Sequence, residues 1–306
     1  MFLCIVSTFG QVNQMERMVA QKLKDANPIL LPQQAGALMT QARPADRLAC
    51  ATAILRYVVQ HRPTSALVVL RAVVEAAPDQ AQEVALLAAA LLPGRVLEIA
   101  RTVAEAAPRR AALVAAALCR AYPLKMDLIA RQVLIGVPQA SADLLVELGR
   151  SLPGLQPVLQ RRMRSLGRAA DTPYMVISLI SRSLAEINTA AELITATINQ
   201  SISDPHAKVS FADVAAAILK DQISIGPDGQ ISSINVTAIG SPKLQTALAI
   251  PTLVDQVRNE VNTAAQDPES PYGSALVQAT TSPMESVAAG EAVEVGEDYA
   301  RKYSRP

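Results

Sequence analysis

The chain has 306 residues, half of which are hydrophobic and 18% charged, so it holds enough apolar material for a substantial buried core. Its formal net charge of +1 excludes a strong overall field that would attract nucleic acid or an anionic membrane. Tryptophan is absent and aromatic residues make up only 3%, which argues against a surface that stacks bases or sugars.

The first ten residues, MFLCIVSTFG, form an apolar tract without a basic segment. Such a tract is typical either of the remnant of an export signal or of a strand or helix that packs on the next elements, and both readings stay open. The tract is an indication of an exported or envelope protein, and the localisation is otherwise unknown. No run reaches the eighteen apolar residues of a membrane span, although a peripheral membrane contact remains possible.

Residues 1–62 are assigned to an N-terminal region with capping helices. An amphipathic helix is predicted over 11–26, a short helix over 35–41, and another helix from Pro44 onward. Pro44 precedes Pro63 by nineteen residues, whereas the later prolines are fifteen apart. Terminal units of repeat arrays are commonly atypical because they close the stack.

Seven prolines then recur every fifteen residues, at Pro63, Pro78, Pro93, Pro108, Pro123, Pro138 and Pro153. Proline inside a helix costs about 3 kcal/mol, because it lacks an N–H group and clashes with the preceding turn. In the first turn of a helix it loses nothing, and it pushes the residue before it out of the α region. Each proline is therefore predicted to start a helix of about eleven or twelve residues.

The fifteen-residue units align without gaps, and their apolar positions fall on one helical face. With proline counted as position one, position seven is always a branched aliphatic residue: Val69, Val84, Ile99, Val114, Ile129 and Leu144. Position nine is arginine in every second unit: Arg71, Arg101, Arg131 and Arg161. The repeat is therefore predicted to be a thirty-residue hairpin. One of its helices bears arginine, and the other is almost wholly apolar and is expected to form a buried layer.

A short helix is marginal in water, and one hairpin cannot bury its own apolar face, whereas stacked hairpins can. In this respect the array, residues 63–170, resembles the α-solenoid class of helical-hairpin repeat proteins. The resemblance concerns architecture alone, because the signature residues of named repeat families are absent. It implies an all-α superhelical stack of short antiparallel helices, and an extended surface for other protein chains.

Residues 171–266 are predicted to hold different elements. In chain order they are a long helix over 173–201, a helix over 211–221, a small β-hairpin whose strands (222–225 and 230–236) flank a Pro-Asp-Gly turn, and a helix from Pro242 that is broken at Pro251. From residue 267 to 306 Pro, Ser, Gly, Glu and Ala dominate, so this segment is predicted to be a disordered tail.

The sequence carries no signature of a catalytic, metal or cofactor site. His61 and His206 are far apart, and nothing beside either completes an acid–base set. Cys4, Cys50 and Cys119 are spaced too widely for a zinc site or a disulfide framework, and are interpreted as small buried hydrophobes. Glycine-rich phosphate loops and nucleophile motifs are missing. The sequence therefore predicts a protein without cofactor that is not an enzyme.

Six arginines are predicted to form a candidate interaction surface. They are Arg71, Arg101, Arg131 and Arg161, together with Arg162 and Arg164 of the segment QRRMRSLGR. Contact with phosphate is one interpretation of that segment. A solvated face at the end of an apolar stack is favoured, because the chain has no overall basic bias.

Three functions remain open at this level. The leading one is a non-enzymatic structural or protein-interaction protein whose partners are other protein chains, including copies of itself. The second is a cell-envelope or membrane-surface protein, supported by the apolar start and the short amphipathic helices. The third is anion or nucleic-acid binding along the arginines, against which the low net charge argues. No small-molecule substrate is evident.

Overall fold

The computed structural model describes residues 3–166 and 172–281. This part of the chain is a helical repeat of short helices separated by prolines, with one two-stranded antiparallel sheet, so the predicted fold class is confirmed. The chain divides into two compact units. The first unit comprises Met1–Ser151 and Thr172–Ile177, and the second comprises Leu152–Asp171 and Ser178–Pro306.

The helices of the first unit follow one another with short connections. They are α1 (Leu3–Lys24), α2 (Leu31–Gln41), α3 (Arg47–His61), α4 (Ala66–Ala76), α5 (Ala81–Leu91), α6 (Val96–Ala106), α7 (Ala111–Ala121), α8 (Met126–Gly136) and α9 (Ser141–Ser151). The apolar tract at the start of the chain is helical from Leu3 onward, as part of α1, which packs against α3. Within the described residues, no helix is both long and apolar enough to cross a membrane.

Each repeat unit consists of a three-residue 3-10 turn that begins with proline, an eleven-residue α-helix and one linking residue. The linking residue Ala77, at φ −144° and ψ 69°, lies outside the α region, as the following proline requires. Its N–H donates to the Val73 carbonyl at 3.2 Å, and its carbonyl accepts from the Gln80 N–H at 3.0 Å. One residue therefore closes one helix and opens the next, which accounts for the constant spacing of the prolines.

The helices of the first unit lie in two layers, because each packs against the second helix after it along the chain. One layer holds α2, α4, α6 and α8, and the other holds α1, α3, α5, α7 and α9. In both layers the units from α4 to α9 bury positions four, seven, eight, eleven and twelve, where proline is position one. The aliphatic residues at position seven are fully buried, which confirms the predicted core face.

The expectation that the apolar helices form a buried layer is wrong for α5 and α9, whereas on α7 the equivalent Ala116 is buried. Val146 at position nine of α9 is 58% exposed, and the equivalent Leu86 of α5 is only half-buried. On α5 and α9, as on the even-numbered helices, position nine is at least partly open to solvent. A high apolar content along α5 and α9 therefore does not mean that these helices are covered all round.

The second unit contains the last proline-headed helix and most of the long helix. Its elements are α10 (Gln156–Leu166), α11 (Pro173–Ser201), α12 (Phe211–Leu219), β1 (Ile223–Ile225), β2 (Ile231–Ile234), α13 (Pro242–Leu248), α14 (Pro251–Gln266) and α15 (Pro271–Thr281). The predicted long helix, the hairpin and the break at Pro251 are present. In the hairpin, Ile223 pairs with Ile234 and Ser224 with Ser233. Helix α10 belongs to this unit, although the sequence places it in the array.

The chain after residue 266 differs from the expected disordered tail. Helix α15 packs against α10 and α14, and buries Tyr272 and Leu276. The sequence did not predict this short apolar face, because small and polar residues dominate the composition of the segment. The remaining part of the predicted tail, residues 282–306, lies outside the described residues.

Candidate interaction surface

The outer side of the even-numbered layer carries three of the predicted arginines. Arg71 of α4, Arg101 of α6 and Arg131 of α8 occupy position nine of their units, and all three are exposed. Because α4 packs on α6 and α6 packs on α8, these equivalent positions lie on the same side of the layer. Positions two, six, nine and thirteen are three or four residues apart, so they form one stripe along each helix.

On α4 and α6 this stripe is a chain of ion pairs. Arg71 Nε donates to Glu75 at 2.9 Å, and Arg101 Nε donates to Glu105 at 2.8 Å. Arg71 Nη1 lies 3.6 Å from Glu105 Oε2, so Glu105 links the two helices. Exposed pairs of this kind contribute only a few tenths of a kcal/mol, roughly. They do, however, neutralise the local positive charge that a phosphate would need.

Arg131 on α8 has a different setting. The position of the pairing glutamate is taken by Ile135, and Leu124 and Leu128 precede it on the same stripe. These three aliphatic side chains are 38%, 53% and 42% exposed, respectively. No carboxylate among the described residues pairs with Arg131. Helix α8 therefore presents an arginine between aliphatic side chains instead of an ion-pair chain.

Arg161 of α10 is buried inside the second unit, and the adjacent Arg162 is half-buried there. Their Nη2 atoms lie 2.8 and 3.0 Å from the carboxylate of Glu186 on α11, whose side chain is only 2% exposed. The prediction that these two arginines belong to an interaction surface is wrong, and so is their interpretation as part of a solvated face. Arg164, in contrast, is exposed.

Arg161 lies against Glu186 because α10 buries a different face from the helices of the regular units. Its positions four, eight and twelve are Gln156, Gln160 and Arg164, which are polar and exposed. Its buried residues include Leu155, Val158 and Leu159, at positions three, six and seven. Position nine therefore points inward. The two glutamines are the sequence signal that could have revealed this change, whereas Glu186 lies on another helix and carried no such signal.

Burial governs the electrostatics of this cluster. Loss of hydration raises the pKa of Glu186 and lowers the pKa of Arg162, while the ion pairs between Glu186 and the arginines oppose both shifts. A buried charge is tolerated only where a partner compensates it. The cluster is thus an internal contact that holds α10 against α11, not a site open to ligands.

The histidines lie in structural settings. His61 Nδ1 lies 2.9 Å from the carbonyl of Tyr57, and the two rings stack with centroids 4.4 Å apart. His206 follows Asp204, whose Oδ1 accepts its backbone N–H at 2.8 Å. Within the described residues, no three His, Cys, Asp or Glu side chains come together as metal ligands.

Two of the cysteines are buried in the first unit. Burial raises the pKa of the thiols of Cys50 and Cys119, so both are neutral packing groups at physiological pH. This agrees with their interpretation as small hydrophobes. The side chain of Cys4 lies outside the described part.

Comparison of the chain with protein-family models, with curated proteins and with solved structures gave no match in any of the three.

Proposed function

We propose that this protein is a non-enzymatic scaffold that binds other protein chains through the outer sides of its helical repeat. The supporting observation is a set of aliphatic side chains left in solvent, which are Val68, Leu124, Leu128 and Ile135 on the even-numbered layer and Val146 on the odd-numbered layer. A series of exposed aliphatic side chains is typical of a surface that another protein covers. Stacked helices hold such a surface in a fixed arrangement.

The repeat separates the residues that fold the chain from those that face solvent. Position seven is a buried branched aliphatic residue in each unit from α4 to α9. Position thirteen of the even layer instead changes from Glu75 to Glu105 to Ile135. Substitutions on the outer side therefore alter the surface without disturbing the core, which suits a protein whose task is recognition.

Affinity capture with the tagged full chain tests this proposal. The wild-type chain is expected to retain a protein from native extract. A matched variant with Val68, Leu128, Ile135 and Val146 each replaced by serine is expected to lose it. Equal thermal midpoints for the two chains would show that the variant is folded. A wild-type chain that stays monomeric by light scattering and retains no protein would contradict the proposal.

The alternatives have less support. Anion or nucleic-acid binding along the arginines is disfavoured, because Arg71 and Arg101 are paired with glutamates, and Arg161 and Arg162 are paired with the buried Glu186. The membrane-surface alternative stays a prediction from sequence.

A further inference from the structure

The exposed stripe consists of Leu124, in the 3-10 turn before α8, and of Leu128, Arg131 and Ile135 on α8, and we call it the α8 stripe. Its members are spaced by four, three and four residues, so they lie on one side of the helix. At 1.5 Å per residue the stripe is about 16 Å long. This is the length of roughly three helical turns, which matches the contact face of a short helix.

The same positions are already covered on α10. The carbonyl oxygen of Ile218 occupies the space that a side chain at Gly154 would need, and Val158 is buried. Arg161 at position nine pairs with Glu186, which α11 supplies. Within the second unit, therefore, a stripe with an aliphatic residue at position six and arginine at position nine is covered by other helices, one of which brings a glutamate.

We propose that the α8 stripe is a docking site for an amphipathic helix of a partner protein, carrying aliphatic side chains and one central carboxylate. This inference rests on the scaffold function proposed above and specifies the partner. The guanidinium of Arg131 offers forked N–H donors that fit a carboxylate. Leu124, Leu128 and Ile135 supply the apolar contacts on either side of it.

Charge complementarity decides between the possible occupants. A second copy that paired α8 with α8 would place two Arg131 side chains in one interface, and like charges there are unfavourable. A basic or neutral helix would leave Arg131 desolvated without a partner, which also costs free energy. An acidic helix removes both penalties, so the aliphatic residues provide affinity and Arg131 provides the choice of partner.

The test uses a fluorescent synthetic peptide with the sequence of residues 178–192, the part of α11 that carries Glu186. A second peptide has lysine in place of this glutamate. Fluorescence anisotropy measures the binding of each to the full-length wild-type chain. The wild-type chain is expected to bind the glutamate peptide about tenfold more tightly than the lysine peptide.

Two variants of the full chain complete the test. Arg131→Glu is expected to reverse the preference for the two peptides. The control Arg109→Glu changes the same charge at an exposed position in the 3-10 turn before α7, in the other layer, and should leave both affinities unchanged. Leu128→Ser with Ile135→Ser is expected to weaken the binding of both peptides, because it removes the apolar contacts without altering the charge.

Two results would overturn the inference. One is no binding of the glutamate peptide up to about 1 mM. The other is binding that does not respond to Arg131→Glu. The scaffold function is judged separately, by capture from native extract. If wild-type and Arg131→Glu chains retain a partner equally, the α8 stripe is excluded as its docking site, whereas the scaffold function is supported.

Discussion

Arginine at position nine has three different roles in this chain. Arg101 is exposed and bonded to a glutamate of its own helix, Arg131 is exposed between aliphatic residues, and Arg161 is buried against Glu186. The side chain is the same, but its neighbours at positions two, six and thirteen differ. What an arginine does in this repeat is therefore decided by the residues that surround it.

At the residue scale, Ile99→Asp and Arg101→Ala should have very different effects on stability. Ile99 is fully buried at position seven of α6, so a carboxylate there must be desolvated without a partner, at a cost of about 4 kcal/mol or more. Arg101 loses only an exposed ion pair, at a cost of roughly 0.5 kcal/mol or less. Urea denaturation followed by circular dichroism measures both.

The control for this comparison is Ile99→Val, which keeps the site apolar and should cost about 1 kcal/mol. Similar midpoints for Ile99→Asp and Arg101→Ala would mean that position seven does not face the core.

A second prediction at this scale concerns the buried cluster. Without Arg161, the pKa of Glu186 should rise further, because one of the two charges that oppose the effect of burial is gone. When a carboxyl has a raised pKa in the folded chain, the free energy of unfolding falls as the pH rises. The fall runs from the unfolded pKa of that carboxyl, about 4.3, through its folded value. Arg161→Met should therefore cost about 2 kcal/mol more at pH 7 than at pH 4.

Urea denaturation at the two pH values measures this difference. Arg164→Met, at an exposed position of the same helix, is the control and should show no such dependence on pH. If Arg161→Met costs the same at both pH values, Arg161 contributes packing and not charge.

At the scale of elements, α15 fixes the β-hairpin of the second unit. Tyr272 Oη donates to the Gly229 carbonyl at 2.7 Å, and Leu276 occupies the space that a side chain at Gly229 would need. Gly229 has a φ of 80°, which favours glycine. A two-stranded hairpin is marginal alone, so its order depends on the helices that pack on it, which are α15 at the turn and α12 and α14 at the strands.

Tyr272→Phe should therefore destabilise the chain by about 1–2 kcal/mol, because a buried carbonyl loses its donor. Tyr174→Phe, at an exposed position, is the control and should be nearly neutral. Burial also raises the pKa of Tyr272, so the folded chain keeps a proton that the unfolded chain releases. Wild-type stability should fall as the pH rises above about 10, and the fall should be smaller in Tyr272→Phe. Equal slopes would contradict this assignment.

At the scale of the whole molecule, the two layers predict which deletions the repeat tolerates. Removing two units, residues 78–107, keeps each later helix in its own layer. Removing one unit, residues 93–107, moves each later helix to the opposite layer. Neighbouring repeats interact mainly through their shared interface, so the larger deletion should fold cooperatively and the smaller one should lose much of its stability. Circular dichroism with thermal melting distinguishes these outcomes, and equal stability of the two chains would contradict the two-layer arrangement.

The sequence alone determined the frame of the repeat. Proline fixes φ, lacks an N–H group and restricts the residue before it, so its effects act within a few residues and can be read from spacing. The same holds for the buried face around Ile99, which follows from apolar residues three or four apart. The long helix over 173–201 and the hairpin at Gly229 were predictable for the same local reason.

Only the tertiary structure decided which outer positions are covered. Arg161 fits the fifteen-residue pattern, yet it is buried because α10 turns another face inward and α11 brings Glu186 to it. Helix α15 was missed because its few apolar residues matter only where α10 and α14 receive them. Arg131 and its aliphatic neighbours became a candidate site once their exposure was known. Burial is a property of the residues that meet in space, and these are far apart along the chain.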